Sequence, residues 1–419
     1  MSRYGGFKGK FDFKRFKQNF TRLFGSYDNF DETFGYTTFS GIHDLSTTNT
    51  FIREGLYSWG LGEELLLRPA ITDGYLPADW SQSYSHYSSE VYGNPAAVLS
   101  NLEAYSTESS IAKLTIPITG KYTFRIAGAS NFVLPNNTNY TGGNGAILRA
   151  TYTLNQGEVL WLIVGQTNPQ QDPLFSRNWQ GGAGGTFVCV GSSLATSNPL
   201  LVAGGGGALR ESFASASATD IDEINGQMQT RGGGGVGGVG TAGGILGNRG
   251  AGGGHNQNPV PAGAAAGFYQ DGTAHGDNRA LPTGYAHAGA QAAINGALGA
   301  TFLNTYDTLY LGHGGFGGGG PGGWGGMGGA GGYSGGGNGD NGTGEVGGGG
   351  GSFIGIHNGD PEDVGTSSGE WTVIDQDSHI TPPWTAGFAG YSVYLTSNIT
   401  SLGFQADDTA GEIRITRVT

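Results

Sequence analysis

Cysteine is all but missing: Cys189 stands alone in 419 residues. A single thiol excludes an intrachain disulfide framework and a cysteine-built zinc site. Charge is scarce as well, at 13% of residues against about 25% in an average globular chain. Proline numbers 15, and glycine keeps no strict one-in-three period along the chain, which excludes collagen. No run of 18 apolar residues occurs, so no helical membrane span is expected. The strongest apolar stretch, Val159–Val164, has the length of a strand. The N-terminus lacks the apolar core of a secretory signal, so export by the usual secretory route is not expected. The missing charge does not signal disorder, because 21 Phe, 19 Tyr and 7 Trp are present. Glycine fills the space instead: 84 residues, one in five, against a usual share of about 7%. The length suggests two or three structural units.

The net charge of −13 is unevenly spread. Residues 1–25 hold Arg3, Lys8, Lys10, Lys14, Arg15, Lys17 and Arg22 against Asp12 alone, a balance of +6. The remaining chain has 13 basic and 32 acidic residues, a balance of −19. An acidic body with a short basic arm argues against nucleic-acid binding by the body. Phe7, Phe11, Phe13, Phe16, Phe20 and Phe24 are interleaved with the arm's cations. Phe16, Phe20, Leu23 and Phe24 share one helical face, Asp12 suits an N-cap, and Gly25 sits where a C′ glycine would. The pattern predicts an amphipathic basic helix over about residues 13–24. Three uses fit it: an organelle-targeting peptide, a membrane-surface helix, or a docking arm that inserts phenylalanines into a larger partner. The docking arm is favoured, with Phe11, Phe13, Phe16, Phe20, Phe24, Lys14, Arg15 and Lys17 as its contact residues. A plainer reading has the arm packing on its own acidic body.

Residues 26–109 read as an irregular, β-leaning connector with contact surfaces, in which only Glu63–Leu67 shows a helical period. From Ile111 the period becomes two. Ala112–Ile116 alternates; Tyr122, Phe124 and Ile126 face one side, with Thr123 and Arg125 opposite. Ala146–Leu154, a turn at Asn155–Gly157, Val159–Val164, Thr186–Val190 and Leu200–Ala203 continue the series. Tyr391–Leu395 and Glu412–Val418 complete it. Short strands separated by turns predict an all-β antiparallel sandwich. A glycine-rich insertion over 201–360 splits the strands, so the last one must return to close a sheet.

That insertion holds 55 of the 84 glycines, and residues 312–351 hold 26 in 40. Pro321, Trp324, Met327, Ala330 and Tyr333 are each separated by two glycines. Period three is the pitch of the extended PPII helix, which has no internal hydrogen bonds. Buried copies must therefore bond to one another, and glycine lets their backbones approach closely enough. The expectation is a bundle of glycine PPII-type helices with glycine inside. Trp324, Met327 and Tyr333 are then outer positions, on an outer face or against the sandwich. The competing reading is a flexible linker. Little serine and a phase kept over five repeats favour order.

Reactive constellations are missing. There is no P-loop, no H-E-x-x-H and no G-x-S-x-G. His255, His275, His287 and His313 lie in the insertion and read as structural polar groups. Gly336–Asp340 falls short of a calcium repeat, Asp220–Glu223 reads as a solvated charge run, and Arg231-Gly-Gly-Gly is a single copy. No catalysis, cofactor or metal is expected.

Lys121–Ala129, Gly145–Gln166, Gly181–Val188, Leu200–Gly207 and Gly411–Thr416 form an ordered succession. It resembles the glycine-rich domain of the anaplastic lymphoma kinase and leukocyte tyrosine kinase receptors and of related phage and bacterial proteins. The resemblance covers residues 110–419 and implies a tumour-necrosis-factor-like jelly roll interrupted by a glycine-helix bundle. No kinase, membrane span or signal peptide accompanies it, so receptor signalling and cytokine binding are not carried over. The glycine region also resembles, in architecture alone, the tip adhesins of phage tail fibres.

These readings divide the chain into an anchoring arm (1–25), a connector (26–109) and a glycine-rich jelly-roll domain (110–419). The expected function is that of a structural protein of a virus particle, a phage in the first instance. The arm would anchor it to capsid or tail proteins, and the β domain would decorate the surface or attach to a host glycan or receptor. Such a protein is assembled in the host cytoplasm and displayed on the virion surface. A homo-oligomer is compatible with this; a nucleic-acid partner is not expected. The alternative is a free microbial cell-surface or secreted binding module.

Overall fold

The computed structural model describes residues 61, 64–69, 89–92, 102–104, 111–131, 142–167, 180–209, 223–235, 242–250, 264–272, 285–304, 313–322, 326–339, 346–366, 400–401 and 411–419. The arm with its Phe and Lys/Arg contact residues, Trp324 and the Tyr391–Leu395 strand lie outside the described residues. The strands run β1 (Glu64–Pro69), β2 (Ser89–Tyr92), β3 (Leu102–Ala104), β4 (Ile111–Thr115), β5 (Gly120–Ala127), β6 (Ile147–Leu154), β7 (Val159–Ile163) and β8 (Thr186–Val190). They continue with β9 (Asn198–Ala203), β10 (Tyr285–Ala288), β11 (Thr301–Asn304), β12 (Phe353–Ile354), β13 (Glu362–Thr366), β14 (Thr400–Ser401) and β15 (Glu412–Arg417). Among the described residues helix is confined to short turns such as the 3-10 segments Leu194–Thr196 and Ala293–Asn295. The fold is all-β.

Two sheets carry the architecture. A seven-stranded sheet has the order β14-β13-β6-β5-β15-β1-β2, antiparallel except for β13 beside β14. A six-stranded antiparallel sheet has the order β12-β9-β8-β7-β4-β3. The last strand returns as the alternation requires: β15 pairs with β5 from Glu412 opposite Ala127 to Arg417 opposite Tyr122. Alternation then decides the core. Tyr122, Phe124 and Ile126 from β5, Leu148, Ala150 and Tyr152 from β6, and Ile413 and Ile415 from β15 face Leu114, Leu160, Leu162 and Val188 of the other sheet. Tyr152 ties the two sheets together, its hydroxyl lying 3.0 Å from the Leu200 carbonyl and 3.1 Å from that of Gly355.

Residues 64–69 correct the reading of Glu63–Leu67 as helical. Leu65 and Leu67, two residues apart, are both fully buried in the core, which is the period of a strand. Burying each stabilises the sheet by about 1.5–3 kcal/mol. With β2 and β3 also in the sheets, this part of the 26–109 stretch is framework as well as connector.

The six-stranded sheet explains why its strands lack strict alternation. Leu160 and Leu162 point into the inter-sheet core, while Trp161 and Ile163 point the opposite way into a second apolar cluster. Phe187 and Cys189 on β8, Val202 on β9 and Phe353 on β12 join them. A sheet covered on both faces reads as a continuous apolar run.

The cover is glycine-rich. The chain leaves β5, β7 and β9 and enters β6, β8, β12 and β15 through glycine at one end of the two sheets. There the backbones bond to one another with a period of three. The N–H groups of Gly347 and Gly350 donate to the carbonyls of Ala208 and Gly205; those of Gly348 and Gly351 donate to Gly337 and Ser334; that of Gly349 donates to Glu223. Gly328 and Gly331 likewise donate to Gln180 and Ala183, and Gly182 and Gly185 to Gly320 and Gly317. Successive amides thus point to different neighbours, and every third amide returns to the same one. A Cβ built on Gly182, Gly204, Gly331 or Gly347 would run into the carbonyl of Gly329, Gly350, Gly317 or Gly328 respectively.

Candidate functional site

Of the period-three side chains, Tyr333 settles on the covered sheet. Tyr333 stacks on Phe353, with ring centroids 4.4 Å apart and planes at 20°, and lies 6.4 Å from Phe268. Tyr269 closes the row edge-on, 4.7 Å from Phe268. Met327 is fully buried against Ala208, and its sulfur accepts the Gln180 N–H at 3.5 Å. Met327 and Tyr333, expected on an outer face or against the sheets, are 0% and 4% exposed. The one side chain per turn that glycine leaves room for is spent on neighbouring segments and on the second face of the six-stranded sheet.

Among the described residues no group of three or more His, Cys, Asp or Glu could hold a metal ion. Cys189 is fully buried, and burial pushes its thiol well above the ordinary range, outweighing the opposing contact with Ser197. A thiol reagent at neutral pH is therefore expected to label the folded protein at least about a hundredfold more slowly than the denatured chain. Equal rates would mean that this face of the sheet is open. His313 is half-buried, and desolvation lowers its pKa to about 4, so its ring is neutral at pH 7. Glu223 and Asn338 serve the glycine network: the Glu223 carboxylate accepts the Gly234 N–H, and the Asn338 side-chain oxygen lies 3.4 Å from the Gly329 N–H. His287 lies in β10; His255 and His275 lie outside the described residues.

The outer face of the seven-stranded sheet gathers charge that sequence reading does not anticipate. Arg414, Arg125 and Arg149 are direct neighbours on β15, β5 and β6. Thr416, Thr123 and Thr151 form the adjoining row. Glu412, 3% exposed, takes both Arg125, at 3.1 Å, and Arg414. Arg149 reaches Asp363 at 2.9 Å, and Lys121 pairs with Glu362. Alternation assigns Arg125, Arg149 and Arg414 to the outward side; only the pairing register makes them neighbours.

The chain matches no family model, and no curated protein is similar to it.

Proposed function

We propose that this protein is a structural component of a virus particle, a phage in the first instance. Residues 1–25 anchor it to capsid or tail proteins, and its β body stands on the virion surface as a decoration or host-attachment module. In this reading the sandwich is a jelly roll and the glycine segments are a bundle of PPII-type helices. The threefold return of the backbone hydrogen bonds supports the bundle, since PPII helices have three residues per turn and must bond outward. The protein works by binding a surface glycan or receptor, not by catalysis, and it assembles in the host cytoplasm.

The observation that carries the proposal is the split of the chain into an aromatic arm of +6 and a body of −19. A short segment that alternates phenylalanine with lysine and arginine offers apolar anchors and charge steering to a partner. Deleting residues 1–25 is expected to abolish incorporation into particles and to leave the body's thermal unfolding unchanged. Incorporation at the full level would overturn the anchoring role.

A further inference from the structure

The dipeptide Asn-Gly occurs six times, with its asparagine at 144, 225, 295, 338, 341 and 358. Asparagine is chemically labile. A following glycine makes it more so, because no Cβ crowds the backbone nitrogen that attacks the side chain. Five of the pairs lie among the described residues, and Asn341 lies outside them. Four of the five spend the glycine N–H on a hydrogen bond. Gly145 donates to the Ser130 hydroxyl at 3.0 Å, and Gly226 donates to the Asn144 carbonyl at 2.7 Å. Gly296 donates to Ala293 at 3.3 Å and Gly339 to Met327 at 3.1 Å. The side chains are engaged too. Asn225 accepts the Asn144 N–H at 2.9 Å, Asn295 donates to Asp271 at 2.8 Å, and Asn338 is fully buried.

Asn358-Gly359 is the exception. Both residues are exposed, and they form the centre of a two-residue hairpin turn, with φ of +51° and +89°. His357 and Asp360 exchange backbone bonds on either side of them, each at 3.0 Å. A turn of this kind needs positive φ at both positions, which is why Asn and Gly stand there. Nothing lies within 4 Å of a Cβ placed on Gly359, and its N–H donates to no group among the described residues. The Asn358 carboxamide makes one hydrogen bond among the described residues, from Nδ2 to the Thr153 carbonyl at 3.0 Å.

We propose that Asn358 is the position at which the folded protein deamidates. The Gly359 nitrogen gives its proton to water and attacks Asn358 Cγ. The new N–Cγ bond forms as the Cγ–Nδ2 bond breaks, and Nδ2 leaves as ammonia, taking up the proton. Water then opens the cyclic imide at either carbonyl, giving aspartate or isoaspartate. The sum is one water in and one ammonia out. A carboxylate now stands where Nδ2 held the Thr153 carbonyl, so one tie between the turn and β6 is lost. The other tie is Asp360 Oδ2, which accepts the Thr153 N–H at 2.7 Å and gains a like charge beside it. This chemistry is independent of the attachment reading.

The test incubates the full folded chain in mildly alkaline buffer. Proteolysis and mass spectrometry read each pair, and isoaspartyl methyltransferase marks isoaspartate. The Asn358 peptide is expected to lose ammonia and gain water severalfold faster than those holding Asn144, Asn225, Asn295 and Asn338. In urea the five are expected to convert at comparable rates, because the bonds that separate them are gone. Asn358→Gly keeps a residue that accepts positive φ and should lower the ammonia released by the folded chain. Asn358→Asp should raise hydrogen exchange at the His357 and Asp360 amides severalfold. Circular dichroism checks that both variants are folded. An intact Asn358, equal rates at the five pairs in the folded protein, or unchanged ammonia release from Asn358→Gly would each overturn the proposal. Wild-type exchange in Asn358→Asp would overturn the loosening of the turn.

Discussion

Gly328→Val is expected to destabilise the protein by more than about 3 kcal/mol and to lower its denaturant midpoint accordingly. A Cβ at Gly328 would collide with the Gly320 carbonyl and come within 2.8 Å of the Gly182 nitrogen and 2.9 Å of the Gly181 Cα. All three atoms are backbone. The Gly320 carbonyl accepts the Gly182 N–H, and Gly328 itself donates to Gln180, so no side chain can swing away to relieve the clash. Any relief must break a buried backbone bond, and each group left unpaired costs about 1–3 kcal/mol. Gly157 is the control. It has φ of +88° with nothing within 4 Å of its virtual Cβ, so Gly157→Ala meets only backbone strain of about 1–2 kcal/mol. Equal melting temperatures for Gly328→Ala and Gly157→Ala would show that close backbone approach is not what Gly328 provides.

Tyr333→Ala is expected to cost about 3–5 kcal/mol, the range for removing a buried aromatic side chain. The ring is one bridge between the glycine region and the six-stranded sheet, lying on Phe353 of β12 and beside Phe268 and Tyr269. Its loss opens a void in the cluster that also holds Cys189 and Phe187. Urea denaturation should show the lost stability, and the labelling rate of Cys189 in the folded state should rise with it. Tyr333→Phe keeps the ring and should lose no more than about 1.5 kcal/mol. A Tyr333→Ala protein with wild-type stability and a still-protected thiol would mean that the cover is held by its backbone bonds alone.

Period-two alternation makes most of the two sheets legible. The buried side of β5 and β15 follows from which residues are apolar at every second position, the turn at Asn155–Gly157 from its turn-forming residues, and the return of β15 from the insertion that splits the strands. Leu65 and Leu67 escape that reading because Leu66 between them is also apolar, so helix and strand periods both fit Glu63–Leu67. The second covered face of the six-stranded sheet is legible only in hindsight. Val159–Ile163 is apolar throughout, but a run of five says nothing about what lies on either side. Glycine hides its partners most completely. The X-G-G phase shows that close contacts are needed, but not which segments make them, because a residue without a side chain carries no complementarity to read. The arginine row is hidden for a related reason: Arg125, Arg149 and Arg414 are up to 289 positions apart, and pairing register is a property of the folded sheets.

The glycine region has a consequence for how freely such a protein can diversify. Its interior is built from amides and carbonyls that every residue possesses, so the scaffold does not read the identity of the stretches that join one segment to the next. Lengthening such a stretch raises closure entropy only slowly, by about 0.6 kcal/mol per doubling. Sequence can therefore be rewritten wherever no amide of the network is spent, while the lattice of glycines stays the same.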